Sequence, residues 1–299
     1  MKKIVSIIAI TALAAGIFSG CGGGNSGNDG SGSDESGAVD AVNTAEVTVV
    51  SREDGSGTRG AFIELTGIEE RDANGNRKDL TTKEAVIANR TDIMLTNVSS
   101  DPNAIGYVSL GSLNSSVKAV SINGVAPTAA NIKNGAYVIS RPFNIATKGE
   151  PEGLAGDFIS FILSAAGQEI ISNGYIAIDE SAPPFDGEKP AGKLVIAGSS
   201  SVSPVMEKLA EAYMEINTDA DIQIQTSDST TGINSTIEGI ADVGMASRDL
   251  KESELAELLG ISIAVDGIAV IIHNSNSVEN LDIETVKLLF TGEITTWEL

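Results

Sequence analysis

The stretch Val47-Thr48-Val49-Val50-Ser51-Arg52-Glu53-Asp54-Gly55-Ser56-Gly57-Thr58 decides the fold. An apolar run of strand character, residues 47–51, passes into a cluster of Asp, Gly, Ser and Thr and then into helix-forming sequence. The same pattern recurs twice. Residues 194–197 lead into Gly198-Ser199-Ser200-Ser201, and residues 222–226 lead into Ser227-Asp228-Ser229-Thr230-Thr231-Gly232. Each copy puts hydroxyls and orphan backbone N–H groups at a helix N-terminus, where the helix dipole favours a bound anion. Three such ends around one cleft predict a cage for a small oxyanion.

Outward from these loops, strands alternate with helices. Residues 104–110, 136–139, 144–147, 221–225 and 268–273 read as strands. Apolar residues recur at helical spacing over 155–171, and Val205, Met206, Leu209, Ala210, Tyr213 and Met214 form a helical stripe behind Pro204. That alternation predicts an α/β fold with a largely parallel sheet in each unit, the loops lying beyond the carboxyl ends of strands. At 299 residues, 41% of them hydrophobic, the chain is long enough for two globular units. The segment 181–190 carries Pro183, Pro184 and Pro190 without any apolar period and reads as a connection between them.

The N-terminus reads differently. Lys2 and Lys3 precede an apolar run over 4–18, too short to span a bilayer comfortably and laid out like a secretory signal. It ends at Phe18-Ser19-Gly20-Cys21, which resembles a bacterial lipoprotein cleavage site with Phe18 in place of the usual Leu. Cys21 is the only cysteine, so it forms no internal disulfide, and lipidation there predicts a membrane anchor. Residues 22–44 are Gly, Ser, Asn and Asp with little to bury, the composition of a flexible tether.

A formal net charge of −22 excludes nucleic acid as a partner, because no basic face is available to neutralise phosphates along a strand. It does not exclude a small anion, since dispersed surface carboxylates are screened over about 8 Å at physiological salt whereas groups in direct contact are not. The loop around Arg52 and Arg59 offers planar guanidinium forks suited to tetrahedral oxyanions, with Gly55 and Gly57 allowing close backbone approach. It is not a nucleotide loop, because no Lys precedes its final Thr. On a purely structural reading Asp54 caps the helix and pairs with Arg52.

Hydrolysis is disfavoured. Ser56, Ser200 and Ser229 are candidate nucleophiles, but the single histidine, His273, ends an apolar strand. No Cys or His cluster supports zinc, the acids lack the spacing of a calcium loop, and no cofactor is called for. Binding is favoured over catalysis.

The segment from Ser51 to Phe62 resembles the signature of the Pst-type phosphate-binding proteins that feed bacterial ABC-type phosphate uptake. Ala104-Ile105-Gly106-Tyr107-Val108, residues 197–204, residues 241–248 and Asp266-Gly267-Ile268-Ala269-Val270 extend the likeness across nearly all of 45–299. Their order differs from the family's. Phe290-Thr291-Gly292-Glu293-Ile294-Thr295-Thr296-Trp297 closes the chain whereas the Arg52 loop opens it, so the resemblance implies a circular permutant. Residues 181–192 then join the family's former ends. The implied fold is a two-lobe periplasmic-binding-protein-like (type II) α/β fold with a ligand cleft between lobes. One lobe comprises 45–124 plus 261–299, the other 125–260.

By the same resemblance, inorganic phosphate contacts Arg52, Ser56, Gly57, Thr58, Ser200, Ser201, Ser229 and Ser247, with Asp54 holding Arg52 and with Arg59 and Asp228 in supporting roles. Ser247 occupies the position where well-known members place an Asp that accepts the proton of hydrogen phosphate, leaving Asp54 or Asp228 to replace it if either faces the ligand. The implied function is capture of phosphate on the outer face of the cytoplasmic membrane and delivery to an ABC transporter permease. Sulfate or another tetrahedral oxyanion, and phosphate sensing or scavenging without transport, are the alternatives.

Overall fold

Residues 45–72 and 76–298 are described by a computed structural model. The expected leader 1–21 with Cys21, and the tether 22–44, lie outside the described residues. Val49 and Val50, which lead into the Arg52 loop, are buried in the strand Thr48–Arg52, which runs parallel to Ala104–Ser109 on one side and to Val86–Ala88 on the other. The second loop follows the strand Gly192–Ser199, which is parallel to both Ala220–Ser227 and Val243–Ala246.

Two long strands join these parallel groups. Ser140–Thr147 and Leu259–Ile272 are antiparallel to each other and to the strands beside them, giving one continuous sheet. The expected parallel character therefore holds for three strands at each side, with an antiparallel pair between. The 14-residue strand Leu259–Ile272 pairs with Ser140–Thr147 from Leu259 to Gly267 and with Ala104–Ser109 from Ile268 onward.

Among the described residues two large apolar cores pack on this sheet, beside a small cluster of Ala146, Ile233, Ala246 and Leu258. The first large core gathers Phe62, Tyr107, Ile268–Ile272 and Phe290, with the Phe62 and Tyr107 rings stacked at 4.0 Å. The second gathers Phe143, Phe158, Phe161, Met206, Tyr213 and Ile263. The chain passes from one core to the other twice, between Ile139 and Phe143 and between Ala264 and Ile268. At both passages the sequence interrupts its apolar run with charge, Arg141 in one and Asp266 in the other.

Two expected elements are corrected. Residues 136–139 are not a strand; Tyr137 Oη donates to the Ile268 carbonyl at 2.8 Å and Ile268 N donates to the Ile139 carbonyl at 2.8 Å, fixing this segment as the approach to Ser140–Thr147. The helical period over 155–171 is split into Gly153–Leu163 and Ala165–Ser172. Ser164 breaks it, its Oγ donating to the Phe161 carbonyl and accepting from Gly167 N in an N-cap. The helix behind Pro204 is Ser203–Ile216, and its stripe of Val205, Met206, Leu209, Ala210 and Tyr213 is buried.

The connection 181–190 has no regular structure but is pinned. Asp157 accepts from Glu188 N and Lys189 N, and Phe185 meets Phe161 edge-on. Among the described residues no single helix is long and apolar enough to cross a membrane.

Candidate binding site

Each of the three loops delivers its chain to a helix N-terminus, at Gly57–Leu65, Ser203–Ile216 and Ser229–Ile237. The side chains there converge from opposite cores. Thr58 Oγ1 lies 2.8 Å from Ser201 Oγ and 3.3 Å from Ser247 Oγ. Arg52 Nη2 donates to Ser200 Oγ at 3.1 Å. Ser247 N donates to Ser229 Oγ at 3.1 Å, and Ser199 Oγ donates to Ser247 Oγ at 3.0 Å. All of these side chains are buried.

Glycine is needed at the centre. A Cβ on Gly57 would fall 2.5 Å from Ser229 Oγ and 2.9 Å from Ser247 Oγ, so only a bare Cα lets this backbone approach both hydroxyls. Gly198 has φ 136° and a Cβ there would meet the Met245 carbonyl oxygen at 2.4 Å, which fixes the turn into Ser199-Ser200-Ser201. Ser56 is adjacent but differently employed, because its Oγ caps the helix by accepting from Arg59 N at 3.3 Å.

Arg52 is held by Glu53, not by Asp54. Its Nε and Nη2 each donate to one Glu53 oxygen at 2.8 Å, a two-point contact that orients the guanidinium plane. Asp54 sits at the turn with a side chain 97% exposed and pairs with Arg59 at 2.9 Å. Arg59 in turn donates to the Arg52 carbonyl at 2.8 Å and to Asp79, bracing the loop from behind. Buried Tyr107 braces its other side, accepting from Arg52 N at 3.0 Å and sharing a hydrogen bond with Ser51 Oγ at 2.9 Å. Burial pushes the Tyr107 hydroxyl above its ordinary range, so it stays protonated.

Asp228 is the N-cap of Ser229–Ile237, accepting from Thr231 N at 2.9 Å and also from Thr231 Oγ1. Neither carboxylate nominated to replace the missing Asp is bonded to the hydroxyl cluster. Among the described residues no carboxylate hydrogen-bonds to Thr58, Ser200, Ser201, Ser229 or Ser247.

Two further residues join the cluster without having been legible in the loops. Thr91 opens the helix Thr91–Ser100; its Oγ1 lies 3.1 Å from Ser200 Oγ and 3.3 Å from Ser201 Oγ, and its N–H donates to Ser200 Oγ at 3.3 Å. It makes a fourth helix N-terminus at the site. The strand before it, Val86–Ala88, has only three residues and no Gly-rich loop follows, so the repeated pattern is not visible. Arg141, on Ser140–Thr147, donates from Nη2 to Thr58 Oγ1 at 3.0 Å and from Nε to the Ser247 carbonyl at 2.9 Å. Its Nη1 lies 2.9 Å from Asp266 Oδ2, both side chains being almost wholly buried. Burial pushes the Asp266 carboxyl up to about 6, with the Arg141 charge pulling the other way.

The cluster is rich in donors and has no histidine bonded to it. His273 Nδ1 is 2.7 Å from Ser275 Oγ, beyond the end of Leu259–Ile272. No group of three or more His, Cys, Asp or Glu among the described residues is arranged to hold a metal. Fixed donors of this kind can take the place of water around an oxyanion.

A two-core α/β sheet with helix N-termini meeting at the crossing defines a solute-binding protein, and a family model described as a PBP superfamily domain matches residues 25–166 and 184–299. "Phosphate-binding protein PstS 2" of Streptococcus agalactiae serotype V is 48% identical over 99% of this chain and 97% of its own length. "Phosphate-binding protein PstS 2" of Streptococcus pneumoniae serotype 4 is 42% identical over 99% of this chain and 98% of its own. The crystal structure of a phosphate ABC transporter phosphate-binding protein from Streptococcus pneumoniae TIGR4 superposes with a TM-score of 0.68 at 43% identity, covering 85% of this chain and 99% of that one. The chain belongs to the PBP superfamily and, within it, to the Pst-type phosphate-binding proteins.

Proposed function

We propose that this chain captures inorganic phosphate between its two cores and presents it to the permease of an ABC transporter, acting as a binding protein without catalytic turnover. The observation that carries this reading is the contact of Arg52 and Thr58, from the side of the first core, with Ser200 and Ser201, from the side of the second. An anion that takes donors from both sides favours the conformation in which they meet. The names of the full-length relatives support the choice of phosphate and of an ABC partner.

The energetics are adequate. Hydrogen bonds to a charged group contribute about 1.5–3 kcal/mol each, and micromolar affinity needs about 8 kcal/mol. Donors at the loops of Arg52, Ser200 and Ser229 reach that figure after the cost of dehydrating the ion. The residues assigned to it are Arg52, Gly57, Thr58, Ser200, Ser201, Ser229 and Ser247, with Ser56 setting the first helix N-terminus.

Sulfate is the second reading, and one observation favours it. With serine at position 247 and no carboxylate among the described residues bonded to the cluster, the described site holds no group that rejects an ion lacking a proton. Cys21 is the proposed lipid attachment point, which together with the 22–44 tether holds the protein at the outer face of the cytoplasmic membrane. The permuted order is supported by the described ends, which lie side by side: Val47 N donates to the Thr295 carbonyl at 2.8 Å and Trp297 N to the Ala45 carbonyl at 3.2 Å. Equilibrium dialysis against radiolabelled phosphate, with and without excess sulfate, tests the reading; retention of label that sulfate does not displace supports phosphate, and no retention refutes it.

A further inference from the structure

Arg141 and Asp266 stand opposite each other in register on the two antiparallel strands, at the point where both strands pass between the cores. Arg141 Nε reaches the Ser247 carbonyl, Nη2 reaches Thr58, and Thr58 itself bonds Ser201. One guanidinium therefore touches the hydroxyl cluster from its floor, while Arg52 touches it through Ser200.

Burying that charge is costly. A buried ion pair rarely stabilises a fold more than apolar residues of the same volume do, so structure alone gives little reason to keep a guanidinium here. The pair is also incompletely satisfied: Arg141 Nη1 and Asp266 Oδ2 are 2.9 Å apart, yet neither has a hydrogen bond of acceptable geometry. Nη1 is left with protons to give in a buried position beside a donor-rich cluster. Two guanidinium groups facing one cluster also repel each other, and an anion between them relieves that repulsion.

We propose that Arg141 is a second guanidinium ligand of the bound oxyanion, with Asp266 as the positioning residue that holds it at the crossing between the cores. This rests on the phosphate reading. Because Arg141 sits on the crossing strands and belongs to neither group of loops, it meets the ion from a fixed base while the loops close from either side.

The test begins with phosphate titration of the wild-type chain; failure to bind there refutes the phosphate reading itself. Given binding, the Arg141 Nε–Hε resonance, assigned by its loss in Arg141→Lys, is followed during the titration. It is expected to shift and saturate with the ion, and a resonance unmoved at saturation overturns the proposal. The double variant Arg141→Met with Asp266→Leu removes both charges without leaving one buried alone, and is expected to melt near the wild type and bind phosphate about 10- to 100-fold more weakly. Affinity within twofold of wild type overturns the proposal; if the double variant does not fold, the resonance decides. In Asp266→Asn the same resonance should move before phosphate is added and affinity should fall, whereas an unchanged resonance and affinity would exclude the positioning role.

Discussion

Thr58 Oγ1 and Ser201 Oγ, 143 positions apart in the chain, are 2.8 Å from each other. Thr58 lies in the first turn of a helix whose Phe62 and Ile63 are built into the first core. Ser201 precedes a helix whose Val205 and Met206 are built into the second. A ligand that takes one hydrogen bond from each of these hydroxyls therefore couples the two cores directly.

Arg52→Lys keeps the charge but loses the fork that engages Glu53 at two points and Ser200 at a third. Phosphate affinity is expected to fall about 10- to 100-fold, with little change in melting temperature. Isothermal titration reads the affinity. A lysine variant that binds as the wild type does would mean that Arg52 acts only as a point charge.

Gly57→Ala places a methyl group 2.5 Å from Ser229 Oγ. Forcing an extra carbon into a packed site costs about 1–3 kcal/mol, and here that cost opposes the approach of the two loops. Weaker phosphate binding by roughly tenfold or more is expected, read by the same titration. Unchanged affinity would show that the two loops do not need to close to this distance.

Ser247→Asp introduces a carboxylate where the Ser247 hydroxyl lies 3.3 Å from Thr58 Oγ1 and 3.5 Å from Ser229 Oγ. A buried carboxylate shares the proton of hydrogen phosphate but repels sulfate, which has none to share. The variant is expected to lose sulfate binding by at least about 10²-fold more than it loses phosphate binding. Parallel titrations with both ions check this, and equal losses would contradict it.

Asp266 titrates near 6 in the folded chain, against an ordinary value of 3.8. A carboxyl raised on folding takes up its proton more readily in the native state, so its contribution favours the fold at acid pH and is lost as pH rises through about 6. Denaturant melts of wild type and Asp266→Asn at pH 4.5 and 7.5 isolate it. The stability of wild type minus variant is expected to decrease toward the higher pH; an increase would mean that the Arg141 charge outweighs burial.

The three Ser/Gly/Thr loops were legible because each couples a β-type apolar run to capping residues, a local signal that needs no knowledge of neighbours. Ser200, Ser201 and Ser229 follow from it, and Arg52 stood inside it. What was not legible depended on pairing. Leu259, Ile261, Ile263 and Val265 alternate as a strand should, but Asp266-Gly267 after them reads as a turn, so only 268–273 stood out. That hid the crossing pair and, with it, Arg141. Glu53 and Asp54 are neighbours with equal claim on Arg52, and only the turn at Asp54-Gly55 decides that Asp54 faces outward to Arg59. Thr91 was hidden because its strand is three residues long and its loop contains no glycine.

A crystal structure of the chain grown with phosphate tests the capture mechanism most directly. The expected result is one phosphate whose oxygens accept hydrogen bonds from Thr58, Ser200, Ser201 and Ser229 and from the Arg52 guanidinium, with the direct hydroxyl-to-hydroxyl bonds among them replaced. A phosphate found only outside this cluster, with Thr58 still bonded to Ser201, would contradict it.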